Sequence, residues 1–407
     1  MHIARPAARL SAFLACMLIA VIPEGAEATS YQLTHSELAA ESVVVLAEWV
    51  DGEPPRTVID KRPGCDDVVE ESVGRATFRI VRTREGASDV AVGQEIAYPR
   101  HVDAKKGDRF LLVRDTIDDP RVPYWSASGR LSDAGFDYIA KLPALDEPAA
   151  RRLEYFVRFL EFNDPQVAAD AFTEFERASY ADIVAITDKL PRHKLRKWVA
   201  AMDPRKDRQL ELYGALLGLC GDASDAELLR KRIVDEPRAS DKADFRVGIG
   251  GMMDGYLLLA GEKGLAVLER EFLSNRHVHL SETYAAMQAV HFMWEHGGGK
   301  IGKERLRESM RLLLDHPDLV DFAIAYLTRW KDWSVRDHVL KLYGAAEFDI
   351  PPVKRAIIRY FLLCARDVSA DAKTNPPHVA EAKRRLEDFR RRDPQLVADV
   401  ERLLDLE

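Results

Sequence analysis

Three stretches of the chain carry residue types that could do chemistry. Residues 297–303, GGGKIGK, have the GxxxxGK spacing of a phosphate-binding loop. In such a loop backbone N–H groups cradle phosphate, and a hydroxyl after the lysine holds magnesium. Here Glu304 stands where the hydroxyl belongs, and the preceding residues read as helix rather than strand, so the stretch reads as an inter-helix loop. His277, His279, His291 and His296 cluster with Glu282 and Glu295. His291 and Glu295 fall one helical turn apart and could share a metal. His277 and His279 precede that helix, more than about 10 Å from its far end by helical rise. The spacing fits no zinc motif, and loop and helix-surface histidines are expected. Arg329, Trp330 and Trp333 bracket a turn at Lys331-Asp332. Tryptophan and arginine are the types that most often carry binding energy at an interface. These three are the candidate partner-binding residues; the rival placement is as packing between helix pairs. No nucleophile, base and orienting group can be assembled, so no catalytic residue, metal ligand or cofactor is assigned.

The element that must position these residues is a helix pair, clearest in residues 208–234. Leu210, Tyr213, Leu216, Leu217 and Cys220 make one apolar helix face. Gly214 and Gly218 each cost that helix roughly 1 kcal/mol against alanine, which is sustainable where another helix packs on the bare backbone. Gly221 is expected to end the helix in a left-handed conformation, and Ser224 to cap the next, with Asp225 and Glu227 in its first turn. First helices are expected to end again at Gly261, Gly297, Asp332 and Arg366, at intervals of about 40, 36, 35 and 34 residues. Second helices are expected to begin near Ala223, Glu262, Ile301, Trp333 and Pro377. Such a pair cannot bury its apolar face alone and must stack on its neighbours. Upstream, Asp164 caps the helix of DPQVAADAF with Pro165 at its first position, and DPQLVADV at 393–400 nearly repeats it. GIGGMMDG, 248–255, reads as a helix with a small-residue packing face rather than a cofactor loop. Residues 180–202 add two short helices that interrupt the pattern.

Residues 30–145 read differently. Segments 42–50, 77–81, 94–98, 109–113 and 124–128 are short and rich in β-branched or aromatic residues, with turn residues between. They predict a small antiparallel β-barrel, with Phe78 and Ile80 on one face. Trp49, Tyr98, Tyr124 and Trp125 are the aromatics placed for a ligand face on such a barrel; alternation leaves their side open. A helix over 132–141 and the linker LPALDEP follow.

The 407 residues are 47% hydrophobic and 31% charged, ordinary for a soluble globular chain, and suffice for two or three domains. A net charge of −8 argues against nucleic acid as partner. Residues 1–28 read as an export signal: Arg5 and Arg9, an apolar run over 11–22, then Ala26-Glu27-Ala28. Export by the general secretory route to the periplasm or beyond is expected, with no membrane span after cleavage; an uncleaved anchor is the rival. Cys220 and Cys364 fall on apolar helix faces, whereas Cys65 lies in a loop, as a lone thiol or paired to another chain. Two basic runs, Arg192/Lys194/Arg196/Lys197 and Arg384/Arg385/Arg390/Arg391/Arg392, are either solvated helix faces or contacts to an acidic surface.

The DPQVAADAF start, the LLGLCGD turn and the period resemble HEAT repeats, over about residues 146–407. The series VVVLAEWV, ATFRIVRTREG, VGQEI, KKGDRFLLV resembles the oligonucleotide/oligosaccharide-binding (OB) barrel of the netrin and metalloproteinase-inhibitor type. That family's inhibitors need an N-terminal cysteine and several disulfides, which this chain lacks, so inhibition is not implied. The arrangement resembles exported proteins with a small β domain before HEAT-like repeats. HEAT proteins generally bind other proteins along one face. The resemblance therefore implies a mainly α chain: a signal peptide at 1–28, an OB-like barrel at 29–145 and a HEAT-like α-solenoid at 146–407. It implies an extracytoplasmic protein-binding scaffold without catalysis. The alternative is a barrel-based module for a glycan or peptide, or an enzyme without a recognisable motif.

Overall fold

The computed structural model describes residues 34–41, 43–61, 68–84, 89–115, 124–203, 207–236, 246–368 and 376–404. The expected signal and Cys65 lie outside them. The chain is mainly helical, with one curled antiparallel sheet near its start, and divides into two compact units, 1–189 and 190–407. The boundary expected at 145 falls inside the first unit.

The first unit runs α1 (His35–Glu41), β1 (Val43–Lys61), β2 (Val68–Thr83), β3 (Glu95–Tyr98), β4 (Arg109–Asp115), β5 (Tyr124–Arg130), α2 (Asp133–Ala140), α3 (Ala149–Phe156), α4 (Pro165–Arg177) and α5 (Tyr180–Ala185). The five strands pair antiparallel in the order β3-β2-β1-β4-β5. All five expected strands are present, and β1 and β2 run on as a ribbon to the pairing of Lys61 with Val68. The sheet is a half-barrel rather than a closed barrel: among the described strands, β3 and β5 do not pair. Pro99 follows β3 and stops it after four residues. Val102 and Ala104, beyond it, pack against the sheet's core instead.

That core contains Val45, Ala47, Phe78, Ile80, Phe110 and Leu112, set by strand alternation. Leu46 and Leu111, on the opposite face, are fully buried too; α1 packs against β1, and α2 is held to β2 through Arg82. Arg82 sits over the Phe136 ring, 4.9 Å from its centre, and pairs with Asp137 at 2.6 Å. The N-terminal α1 is tied down by charge: the His35 N–H donates to Asp170 Oδ1 at 2.7 Å, and Arg177 pairs with Glu37 at 2.7 Å. Asp164 caps α4 and Pro165 opens it, as the sequence predicts.

The second unit runs α6 (Arg192–Ala201), α7 (Gln209–Cys220), α8 (Ala223–Arg230), α9 (Ile249–Ala260), α10 (Glu262–Leu268), α11 (Leu280–His296), α12 (Lys303–Arg311), α13 (Val320–Arg329), α14 (Arg336–Leu342), α15 (Pro351–Arg366), α16 (Pro377–Arg392) and α17 (Pro394–Leu404). First helices end at 220, 260, 296, 329 and 366, close to the expected turns. Each first helix packs on the next: α7 on α9, α9 on α11, α13 on α15, and α11 on α13 through ring contacts.

Two kinds of spacer separate these layers. Between α7 and α9 the spacer is bare backbone. A Cβ on Gly214 would lie 2.6 Å from the Met252 nitrogen, and one on Gly251 or Gly255 would overlap the Glu211 or Gly214 carbonyl. The segment 248–255 is thus the small-residue packing face expected of it. Between α11 and α13 the spacer is aromatic: Tyr284 on Phe322 at 5.8 Å, His291 on Tyr326 at 4.5 Å, Trp294 on Trp330 at 4.3 Å.

Two local expectations fail at the α7–α8 turn. Gly221 is extended, with φ −85° and ψ −177°, not left-handed. Glycine is needed there for room, since a Cβ would sit 2.5 Å from the Leu217 carbonyl. The cap of α8 is Asp222, not Ser224. Asp222 accepts from the Ser224 N–H at 2.8 Å while Asp225 accepts from the Asp222 N–H at 3.0 Å, closing a capping box.

Candidate functional site

The turn after α13 holds the candidate residues. Its backbone closes on a left-handed Lys331, φ +54°, with the Asp332 N–H donating to the Leu327 carbonyl at 2.8 Å. At the turns of Gly261 and Gly344 the positive φ falls on glycine; lysine here carries about 1 kcal/mol of strain. Asp332, 3% exposed, accepts from Ser334 Oγ at 2.6 Å and pairs with Arg311 at 2.7 Å. Burial opposes its ionisation, but Arg311 and Ser334 outweigh that and hold its carboxyl below the usual range.

The two tryptophans point inward, which corrects the expected aromatic ridge. Trp330 is 2% exposed and stacks on Trp294 with ring planes 12° apart. Trp333 is 8% exposed; it sets its edge on Tyr360 at 5.2 Å and donates its indole N–H to Asp367 at 2.7 Å. Packing between successive layers claims both, because a ring of this size is what fills the gap between them. Arg329 does face solvent, and beside it the Lys331 side chain is 68% exposed and pairs with Asp367 at 2.8 Å. The edge at this turn is therefore cationic.

Trp294 was not singled out by the sequence reading. It is half-buried, with Lys303 Nζ 4.8 Å and Arg307 Cζ 5.5 Å from its ring centre. Its signal was its interval: Trp294 and Trp330 stand one repeat apart. His291, on the same helix, is buried, and its Nδ1 has no hydrogen-bond partner among the described residues. Burial pushes its pKa down to about 4.

The other sequence candidates scatter. Residues 297–302 form the loop between α11 and α12, with Gly298 and Gly299 at positive φ. His279 caps α11 through Ser281, far from a shared centre with His291, and no group of three metal-ligating side chains occurs among the described residues. Arg192 and Arg196 converge on the buried Asp225, so half of that basic run is internal wiring. Arg390 and Arg391 pair with Glu387 and Asp388 on their own helix. Cys220 and Cys364 are free thiols whose pKa burial pushes up to about 11 and about 12, so they stay neutral.

The barrel aromatics do not form an outward face. Tyr98 and Trp125 are in the sheet's core with Trp49 packed against it; only Tyr124 of the four is exposed, at 47%. A cavity of about 140 Å³ in the first unit lies between Leu145, Leu153 and Ala178. Its charges answer one another, Arg152 to Glu174 and Arg177 to Glu37, each at 2.7 Å. Among the described residues no helix is long and apolar enough to cross a membrane. No protein-family model, curated protein or solved structure matches the chain.

Proposed function

We propose that the chain is an exported, non-enzymatic scaffold, which holds another protein along a HEAT-like solenoid formed by its helix pairs and carries a small OB-like domain before it. One observation carries this reading: first helices about 35–40 residues apart pack each on the next in chain order. Stacked pairs leave a continuous outer surface whose length grows with the number of pairs, which suits an extended partner. Of the three candidate residues, Arg329 alone stays available at that surface. Trp330 and Trp333 support it from below by fixing the turn.

The test uses the full chain as bait against an extracytoplasmic fraction, followed by rebinding of each captured protein in purified form. Arg329→Glu is expected to weaken the specific partner at least about tenfold, the scale of one interfacial arginine, with an unchanged melting temperature. A catalytic turnover found in the same preparation, or no protein that rebinds in purified form, refutes the reading.

A further inference from the structure

Among the described residues, many cations of the second unit are paired. Arg305 is held by Glu269, Arg311 by Asp332 and Glu304, Arg336 by Glu381, and Arg246 by Glu282 in a fully buried pair. Against that background, Lys263, Lys300 and Lys303 are exposed and form no ion pair among the described residues. All three sit at turns between a first and a second helix. Lys263 lies in the first turn of α10, just past Gly261; Lys300 lies in the α11–α12 loop and Lys303 opens α12. Lys331 occupies the next turn, and its one partner, Asp367, leaves most of it in solvent.

Contacts from layer to layer show that these turns lie side by side. Lys300 Nζ donates to the Leu258 carbonyl in the last turn of α9. Arg307 donates to the Trp330 carbonyl at the following turn, and Lys331 reaches Asp367 beyond that. The lysines therefore form a row along one edge of the layers, with half-buried Trp294 beneath Lys303 at its middle. Packed helices stand about 8–10 Å apart, so three consecutive turns span about 20 Å. An extended chain covers that distance in about six residues at about 3.3–3.6 Å each.

We propose that this row docks an extended acidic segment of the partner protein, with carboxylates about three residues apart. The proposal rests on the scaffold reading and adds the partner's chemistry. The chain's net charge of −8 disfavours long polyanions such as duplex nucleic acid or an anionic bilayer, whereas a short segment feels chiefly the local row within a Debye length of about 10 Å.

The probe is a labelled peptide, Glu-Ser-Gly-Glu-Ser-Gly-Glu, and its counterpart with glutamine for glutamate, titrated against the full chain by fluorescence anisotropy at low salt. Saturable binding of the acidic peptide alone is expected, weakening as salt rises. The double variant Lys263→Glu/Lys303→Glu should bind it at least tenfold more weakly. The control Lys194→Glu/Lys197→Glu, with the same change in net charge on α6, should differ from wild type by less than threefold. Helical melts of both variants confirm folding. Equal losses in the two variants, equal binding of the glutamine peptide, no saturable binding, or preference for anionic phosphatidylserine vesicles over the peptide overturns the proposal. A native partner that rebinds wild type and Lys263→Glu/Lys303→Glu equally overturns it too, while leaving the scaffold reading intact.

Discussion

Replacing His291 by phenylalanine should change how stability depends on pH more than it changes stability itself. The imidazole is 5% exposed, lies 4.5 Å from the Tyr326 ring, and leaves Nδ1 without a partner among the described residues. Burial lowers its pKa to about 4, while the unfolded chain protonates near the ordinary value of about 6.5. Between those values the unfolded state binds more protons, so stability is fully present above about pH 6.5 and drains away as pH falls toward 4. At about 1.4 kcal/mol per unit, the loss approaches about 3 kcal/mol across that window. Phenylalanine keeps the ring in the stack and removes a buried nitrogen. At pH 7 the variant should match or exceed wild type by up to about 1 kcal/mol. Urea denaturation followed by helical circular dichroism, at half-unit steps from pH 7 to 4.5, gives the difference between the two chains. Burial raises the carboxyl pKa of Asp254 and Asp321, which works in the opposite direction, but they are common to both chains and cancel in that difference. Parallel pH profiles, or a loss above 2 kcal/mol at pH 7, would show that His291 is held by a partner and not merely buried.

Two further outcomes follow from the packing. Trp333→Ala deletes a buried aromatic and its bond to Asp367, and should cost about 3–5 kcal/mol in a chemical melt; a cost below 1 kcal/mol would return the indole to the surface. Gly251→Ala should prevent close packing of α7 on α9 and lower the melting temperature by many degrees. Gly302→Ala, where a Cβ meets open space, should stay within about 0.5 kcal/mol of wild type, and similar melts for both would contradict the backbone contact.

Helix pairs were legible because their turns are marked by glycine, aspartate and proline at regular intervals, and because apolar residues recur on one helical face. Gly214, Gly218, Gly251 and Gly255 also announced themselves, since glycine inside a helix requires a compensating neighbour. The direction of Trp330 and Trp333 was not legible. Composition favours tryptophan at interfaces and in cores alike, and only the partners decide between them: Trp294, thirty-six residues upstream, for Trp330, and Tyr360 and Asp367 for Trp333. The open side of the sheet was hidden for a related reason: strand propensity finds β3 and β5 separately but carries no information about whether their edges meet. Gly221 shows the same limit on a smaller scale, because one residue type serves both a left-handed turn and a crowded extended one.

The unequal spacers between layers bear on how such a chain can change length over evolution. In an array of identical units a pair can be excised or duplicated and the joint heals, because every face fits every other. Here α7 presents a glycine-lined strip that admits backbone, while α13 presents Tyr326 and Trp330. Removing the two pairs between them would set bare backbone against projecting rings, with clashes at one end of the joint and voids at the other. The second unit is thus a sequence of keyed parts, free to drift at its turns and fixed in the order of its layers.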